Sequence, residues 1–201
     1  MVFKITPAGA LTTLYSFCAQ AGCADGTGPG ALIQGADGNF YGTTTFSASN
    51  TCVNGCGTVF KITPTGVLTT LYQFTAPGGY GADPLAGLVQ GTDGNFYGTT
   101  GSGGSGTACS GGCGIAFKMT PQGAFTTLYN FTGTGAEGWS PGALLQAADG
   151  NFYGTTGLGG SSSTCGFYGC GTVFKMTPQG AVTTLTSLNF NVGSEPRGRS
   201  G

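Results

Sequence analysis

A short phrase, Phe-Lys-(Ile/Met)-Thr-Pro, recurs along the chain at a constant spacing of 57 residues, beginning at Phe3, Phe60, Phe117 and Phe174. A second phrase, Asp-Gly-Asn-Phe-Tyr-Gly-Thr-Thr, recurs every 56 residues from Asp37, Asp93 and Asp149. Recurrence of two phrases in a fixed order indicates a tandem repeat in which every unit adopts the same local structure. The repeat therefore constrains the architecture strongly and the chemistry very little.

Composition excludes several classes of protein. Only 6% of the 201 residues are charged, with 6 Lys and Arg against 7 Asp and Glu, so no basic stripe is available for nucleic acid. The 39% hydrophobic content is enough for a globular core, and the apolar runs are too short to span a bilayer. The 42 glycines, with many threonines, favour turns and strands over helices.

One unit, residues 86–131, illustrates the predicted structure. Asp93-Gly94 separates two strand-forming runs, 86–90 and 95–100, and this dipeptide is a strong hairpin signal. A Gly/Ser-rich segment leads to a third strand, and Pro121-Gln122-Gly123 turns the chain into a fourth. The unit is therefore predicted to be a four-stranded antiparallel meander, and the fold class all-β.

Each predicted sheet is apolar on both faces, so both faces must be covered. A repeat of this length with four strands is typical of a β-propeller blade, whose neighbours cover its faces. A stack of sandwiched sheets and a β-solenoid are the alternatives. We predict a β-propeller-like array of four-stranded antiparallel blades.

The unit boundaries predict a single repeat domain over residues 1–188, followed by a disordered tail. The domain divides into a half unit, 1–17, and three whole units, 31–74, 86–131 and 143–188, while the tail is 189–201. About three and a half units leave the first blade without two strands. We expect either a fragment of a larger propeller or an incomplete ring whose exposed strand edges invite self-association.

The eight cysteines form four close pairs, Cys18/Cys23, Cys52/Cys56, Cys109/Cys113 and Cys165/Cys170. Their even number and local spacing favour four disulfides and an oxidising compartment. A zinc site is the alternative, but the chain has no histidine and the spacing is not that of a zinc knuckle. We therefore predict no metal and no cofactor.

The repeated phrases Gly-Thr-Val-Phe-Lys-Ile-Thr-Pro, Leu-Thr-Thr-Leu-Tyr-x-Phe and Gly-Leu-Val-Gln-x-x-Asp-Gly-Asn-Phe-Tyr-Gly-Thr-Thr resemble the GloVer tandem-repeat family of bacteria over about residues 1–188. Members of that family are described as choice-of-anchor proteins. The resemblance implies an exported, surface-attached protein with propeller-like repeats and carries no catalytic residues. We recognise neither a signal peptide nor an anchoring tail in residues 1–201, so the resemblance does not specify how the protein would be attached.

An up-and-down meander sends its two tight turns to one side and its two long connections to the other. The irregular side therefore gathers the cysteine loops and the connections between units, where recognition usually lies. We take Tyr80, Asp83, Glu137 and Trp139 on these connections as candidates for binding a glycan or a protein. The simpler alternative is that Trp139 and Tyr80 only cap the core.

The repeated charges have a structural explanation. The aspartates of the Asp-Gly-Asn turns, Asp37, Asp93 and Asp149, offer too few oxygens for calcium and are expected to accept bonds from turn amides. The repeated lysines, one in each Phe-Lys phrase, are expected to pack their stems and extend their amines to water.

The sequence predicts that the chain is not an enzyme. Histidine is absent and the cysteines are paired, so few groups could serve as general bases. The leading prediction is an extracellular or cell-surface repeat module that binds a ligand or serves as a stalk. The alternative is a carbohydrate-active propeller enzyme that uses the carboxylates of Asp83 and Glu137.

Overall fold

The computed structural model describes residues 1–47, 56–75, 83–84, 86–162 and 165–189. This part of the chain contains fourteen β-strands, two short 3-10 helices and no α-helix. No helix within it is both long and apolar enough to cross a membrane. Cys52, Tyr80 and the predicted tail beyond Asn189 lie outside the described residues.

The strands form four antiparallel sheets, which we number I to IV along the chain. Sheet I consists of β1 (Val2–Ile5) and β2 (Leu11–Tyr15). Sheet II consists of β3 (Thr27–Gln34), β4 (Phe40–Phe46), β5 (Thr58–Ile62) and β6 (Leu68–Gln73). Sheet III consists of β7 (Val89–Gln90), β8 (Phe96–Thr100), β9 (Ile115–Met119) and β10 (Phe125–Asn130). Sheet IV consists of β11 (Gly138–Gln146), β12 (Phe152–Gly159), β13 (Thr172–Met176) and β14 (Val182–Ser187).

Every four-stranded sheet is a meander in which each strand pairs with its neighbour in the sequence, which confirms the predicted unit. The Asp-Gly turn in sheet III joins β7 to β8. Gly94 has φ +80° there, a backbone conformation that glycine adopts without strain because it lacks a Cβ atom. The all-β fold class is confirmed.

The first strands of the sheets differ in extent from the sequence prediction. β3 and β11 begin at Thr27 and Gly138, earlier than the predicted unit boundaries at 31 and 143. Each strand runs through a proline, Pro29 or Pro141, and the pairing register shifts beside it. Proline cannot donate a ladder hydrogen bond, so strand continuity through it requires such an irregularity, which local periodicity does not reveal.

The core lies between the sheets rather than inside any one of them. Three clusters of buried side chains join sheet I to II, II to III and III to IV. The repeated phenylalanines Phe60, Phe117 and Phe174 belong one to each cluster and are at most 1% exposed. Each sheet therefore depends on its neighbours to exclude water from its apolar faces.

Polar contacts repeat between the sheets as well. The Gln90 side-chain oxygen of sheet III accepts a 2.9 Å bond from the Ala36 amide in the first tight turn of sheet II. Gln146 of sheet IV accepts an equivalent 2.9 Å bond from Thr92 of sheet III. Since each glutamine amide also donates to its own turn, these side chains fix neighbouring turns relative to each other.

Candidate functional site

In sheets II to IV a cysteine loop follows the second strand, whereas Cys18 and Cys23 lie on the connection from sheet I to sheet II. Three pairs are bonded among the described residues, Cys18–Cys23, Cys109–Cys113 and Cys165–Cys170. Cys56 is also in a disulfide, and its predicted partner Cys52 lies outside the described residues. The disulfides restrict the conformations that are available to these loops and hold their side chains in place.

A cleft of about 490 Å³ opens where the cysteine loops of sheets III and IV approach each other. Six residues line it: Ala108, Cys109, Ser110, Gly133, Trp139 and Tyr168. None of the six carries a charge. The volume lies in the range of small-molecule sites, and the lining combines aromatic surface with a hydroxyl group. We call this feature the aromatic cleft.

Trp139 and Tyr168 form the aromatic part of the cleft. Their ring centroids are 6.3 Å apart and the ring planes are inclined by 63°, an edge-to-face arrangement. Trp139 is half-buried and packs against the core between sheets III and IV, whereas Tyr168 is 61% exposed. The tryptophan therefore both caps the core and contributes to the wall of the cleft.

The local backbone explains how Trp139 is positioned. It is paired with Leu158 near the start of β11. The next residue, Ser140, has φ +57°, and its amide donates a 3.0 Å bond to the Cys113 carbonyl in the loop of sheet III. This bond attaches the start of β11 to the preceding cysteine loop, so the indole is held beside Cys109 and Ser110 rather than on a free connection.

The neighbouring candidate, Glu137, is not among the residues that line the cleft. The Thr132 hydroxyl donates to one carboxylate oxygen of Glu137, and the other oxygen is buried without a hydrogen-bond partner. Burial and then the nearby Glu137 carboxylate raise the pKa of Tyr129 to about 12. Glu137 thus belongs to a polar group beside the core, together with Thr132 and Tyr129.

Asp83 has a separate environment at the entry to sheet III. Burial raises the pKa of its carboxyl, and a hydrogen bond from Ser102 opposes that shift. Its backbone carbonyl accepts a 2.8 Å bond from the Gly101 amide. Asp83 bonds Ser102 and Glu137 bonds Thr132, so the two carboxylates have different hydrogen-bond partners.

The tight turns carry a repeated carboxylate network. In the first turn, Asp37 accepts bonds from the Asn39 amide at 3.1 Å, the Asn39 side chain at 2.7 Å and the Tyr41 hydroxyl at 2.9 Å. The same three donors recur around Asp93 and Asp149. The expected structural role of these aspartates is confirmed.

Hydrogen bonding sets the pKa values in these turns. The Asn39 side chain, followed by Tyr41 and the Asn39 amide, lowers the pKa of Asp37 against the opposing effect of burial. Burial, the bond to Asp37 and its charge raise the pKa of Tyr41 to about 12. At neutral pH the carboxylate is therefore ionised and the phenol is protonated, which is the pair of states that their hydrogen bond requires.

Sequence reasoning named Trp139 as a binding candidate but missed Tyr168, the second aromatic residue of the cleft, as well as Ala108, Ser110 and Gly133. Tyr168 follows Phe167 in the Cys165–Cys170 loop, where a local aromatic pair interrupts a run of Gly and Ser. That pair was a usable signal, because Tyr168 occupies the loop equivalent to those in which binding was expected. The sequence does not show that this loop extends toward Trp139, and only the three-dimensional structure reveals it.

Comparison with solved structures identifies the propeller class. A streptogramin B lyase structure matches with a TM-score of 0.59 at 14% identity, over 94% of this chain and 48% of that one. A provisionally assigned gluconolactonase matches with a TM-score of 0.51 at 15% identity, over 91% of this chain and 55% of that one. The chain spans about half the length of these propeller-like structures, and no curated protein matches it. The predicted propeller-like architecture is confirmed.

The names of these structures correct one expectation. The prediction that the chain is not an enzyme, which rested on the absence of histidine and the pairing of the cysteines, is wrong as it stands, because the structures that the chain resembles include a named lyase. At this level of identity the likeness shows the fold and transfers no site residue.

The family is shown by the sequence itself. The profile of the Gloeobacter/Verrucomicrobia repeat matches residues 1–165, most of the chain. It covers sheets I, II and III, two strands of sheet IV and the loops between them. This chain belongs to the Gloeobacter/Verrucomicrobia repeat family.

Proposed function

We propose that residues 1–188 act as one extracellular repeat module that binds a neutral carbohydrate in the aromatic cleft. The observation that carries the proposal is the edge-to-face pair of Trp139 and Tyr168 in a concave site of about 490 Å³. Sugar rings have apolar C–H faces that pack on aromatic rings and hydroxyl groups that bond nearby polar atoms. Both kinds of contact are available there.

The charge of the site favours a neutral ligand. None of the six lining residues is ionisable apart from the Tyr168 phenol, since Cys109 is held in a disulfide. An acidic or basic ligand would lose hydration on entering this cleft and gain no opposite charge. A glycan also fits the concave shape better than a protein surface does, because protein interfaces are broader and flatter.

The disulfides and the family support an extracellular location. Three disulfides in the described residues support an oxidising compartment, where such bonds persist. An exported position is also the one in which a protein meets polysaccharides. The module would therefore present its cysteine loops to glycans outside the cell.

The experiment uses the single tryptophan as a reporter. Fluorescence of the whole chain is titrated with neutral oligosaccharides of the β-glucan, α-glucan and N-acetylglucosamine types. Saturable change is expected with at least one of them, and calorimetry with Trp139→Leu should then show no binding. Phe46→Leu, which removes an exposed aromatic ring outside the cleft, should bind like the parent. If the fluorescence shows no saturable change with any of the three glycan types, the proposal is wrong.

A further inference from the structure

The Cys109–Cys113 disulfide belongs both to the core and to the aromatic cleft. Cys113 is fully buried and Cys109 is 9% exposed, and both lie in the cluster of buried side chains between sheets III and IV. Trp139 packs against the same cluster. Since Cys109 also lines the cleft, one sulfur bridge joins the support of the indole to the wall of the site.

The surroundings leave little space for the two sulfur atoms on the side of the core. An added Cβ at Gly133 would stand 2.6 Å from the Cys109 sulfur and 2.8 Å from the Cys113 sulfur. An added Cβ at Gly106 would stand 3.0 Å from the Cys113 sulfur. That sulfur also lies 3.1 Å from the Thr132 carbonyl oxygen. Cys113 is therefore enclosed, whereas Cys109 borders open space in the cleft.

The bridge is connected to Trp139 through the backbone as well. The Ser140 amide donates a 3.0 Å bond to the Cys113 carbonyl, and Trp139 is the preceding residue. Ser140 has φ +57°, a conformation that a residue with a side chain keeps only where its surroundings hold it. A displacement of Cys113 is therefore transmitted to the strand that carries the indole.

We propose that the Cys109–Cys113 disulfide is a redox switch of the aromatic cleft, whose disulfide form holds the cleft open and whose dithiol form closes it. When the bond breaks, the two sulfurs must move apart from bonding distance to van der Waals separation. Because Cys113 is enclosed, Cys109 moves into the cleft and the core under Trp139 loosens. The effect on carbohydrate binding rests on the proposed function, whereas the change of shape does not.

The reducing step is a thiol–disulfide exchange with a small dithiol. One thiolate of the dithiol attacks the Cys109 sulfur from the cleft, and the bond to Cys113 breaks with its electron pair left on the Cys113 sulfur. That sulfur takes a proton from water and donates it in a hydrogen bond to the Thr132 carbonyl oxygen. The second thiol of the dithiol releases Cys109 as a thiol and leaves as a cyclic disulfide, so the protein gains two electrons and two protons.

Two other disulfides of the described residues serve as internal controls. Cys18–Cys23 lies on the connection from sheet I to sheet II and lines no part of the cleft. Cys165–Cys170 closes the loop of Tyr168, but neither of its cysteines belongs to the cluster on which Trp139 packs. Reduction of either bond should leave the support of the indole in place.

The first experiment needs no ligand and no variant. The whole chain is reduced in graded concentrations of dithiothreitol, alkylation with mass spectrometry gives the reduced fraction of each disulfide, and acrylamide quenching reports the accessibility of Trp139, the single tryptophan. Quenching should increase in step with reduction of Cys109–Cys113 and return on reoxidation, while circular dichroism keeps its β-sheet signal. Unchanged quenching after complete reduction of this bond contradicts the switch, and loss of the β-sheet signal in step with its reduction shows that the bond holds the fold instead.

Paired serine variants identify the bond responsible. Quenching should no longer respond to dithiothreitol in Cys109→Ser with Cys113→Ser, whereas the response should persist in both controls, Cys18→Ser with Cys23→Ser and Cys165→Ser with Cys170→Ser. A response that persists without Cys109–Cys113, or one that disappears with either control bond, assigns the effect to a different disulfide and overturns the proposal.

Calorimetry then measures the consequence for the carbohydrate found by titration. Reduction should weaken its binding about tenfold in the parent, as expected for the loss of an aromatic contact, and should have no effect in Cys109→Ser with Cys113→Ser. Equal affinities of the oxidised and the reduced parent would show that the bond does not control the cleft. If the oxidised protein binds none of the carbohydrates, the proposed function fails, and the ligand-free quenching still decides whether the switch exists.

Discussion

The indole of Trp139 and the phenol ring of Tyr168 meet edge to face in the aromatic cleft, although Trp139 lies in β11 and Tyr168 lies in the Cys165–Cys170 loop. Trp139 is anchored through its packing on the core, while Tyr168 reaches the cleft from the Cys165–Cys170 loop. One ring of the cleft is therefore fixed by the core and the other is held by a disulfide loop, so the two rings in contact offer a ligand a preorganised aromatic surface.

We expect Tyr168→Ala to weaken binding of the carbohydrate identified by titration about tenfold, because loss of an aromatic contact costs on the order of 1 kcal/mol. Tyr168→Phe keeps the ring and should retain most of the affinity if stacking dominates. Trp139 fluorescence reports binding in both variants. Equal affinities of Tyr168→Ala and the parent protein for the carbohydrate would show that Tyr168 does not contribute to binding.

Gly133 is expected to be intolerant of a side chain. It has φ +71°, and an added Cβ would stand 2.6 Å from the Cys109 sulfur and 2.8 Å from the Cys113 sulfur. Gly133→Ala should therefore lower the free energy of unfolding by about 3 kcal/mol, through backbone strain and overpacking against the disulfide.

Gly135→Ala is the matched control for this change. Gly135 also has a left-handed backbone, φ +62°, but an added Cβ there meets nothing within 4 Å. This substitution should lower the free energy of unfolding by about 1 kcal/mol, because only the backbone is strained. Urea unfolding without reductant measures both variants, and equal losses would show that the disulfide does not restrict position 133.

Periodicity was sufficient to predict the meander and the stacking of sheets, because each unit repeats the same apolar alternation and the same turn residues. The phrase around Phe117 indicated a buried strand and Asp93-Gly94 indicated its hairpin, and both are local signals. The aromatic cleft depends instead on how far two loops extend toward each other. Loop sequences that differ between units contain no periodicity from which such a distance can be inferred.

The hydrogen bonds of a buried carboxylate, Asp25, could not be predicted from the sequence either. Its carboxylate is fully buried and accepts bonds from the Tyr15 hydroxyl at 2.8 Å, the Ala19 amide at 3.0 Å and the Gln20 amide at 3.3 Å. These bonds lower its pKa although burial acts in the opposite direction. The sequence shows Asp25 only as a carboxylate outside the repeats, since its three donors are assembled by the fold of the first cysteine loop.

The two loop carboxylates are expected to be dispensable for carbohydrate binding. Asp83→Asn and Glu137→Gln each preserve the shape of the side chain and remove its charge, and neither residue lines the aromatic cleft. Affinity measured by Trp139 fluorescence should change by less than about twofold, the range of substitutions that touch no ligand. A tenfold loss in either variant would place that carboxylate at the ligand.

The hydrogen bond between Tyr41 and Asp37 should make stability fall at alkaline pH. The pKa of Tyr41 is raised from 10.0 to about 12, so the folded protein holds this proton more tightly than the unfolded chain does. The resulting stabilisation is complete below pH 10 and is lost as the pH rises toward 12. In Tyr41→Phe the decline of unfolding free energy over this interval should be shallower by up to about 1.4 kcal/mol per pH unit, the value for one proton.

Asp37→Asn tests the cause of this shift. It retains the buried phenol and removes the negative charge, so the pKa of Tyr41 should move back toward its ordinary value while the part caused by burial persists. Spectrophotometric titration of phenolate absorbance measures the shift directly. Because the pKa of Tyr129 is also raised to about 12, Tyr41→Phe should lower the amplitude of the phenolate titration near pH 12 by one tyrosine rather than abolish it. An unchanged amplitude would show that Tyr41 does not titrate there and that the assignment to the Asp37 turn is wrong.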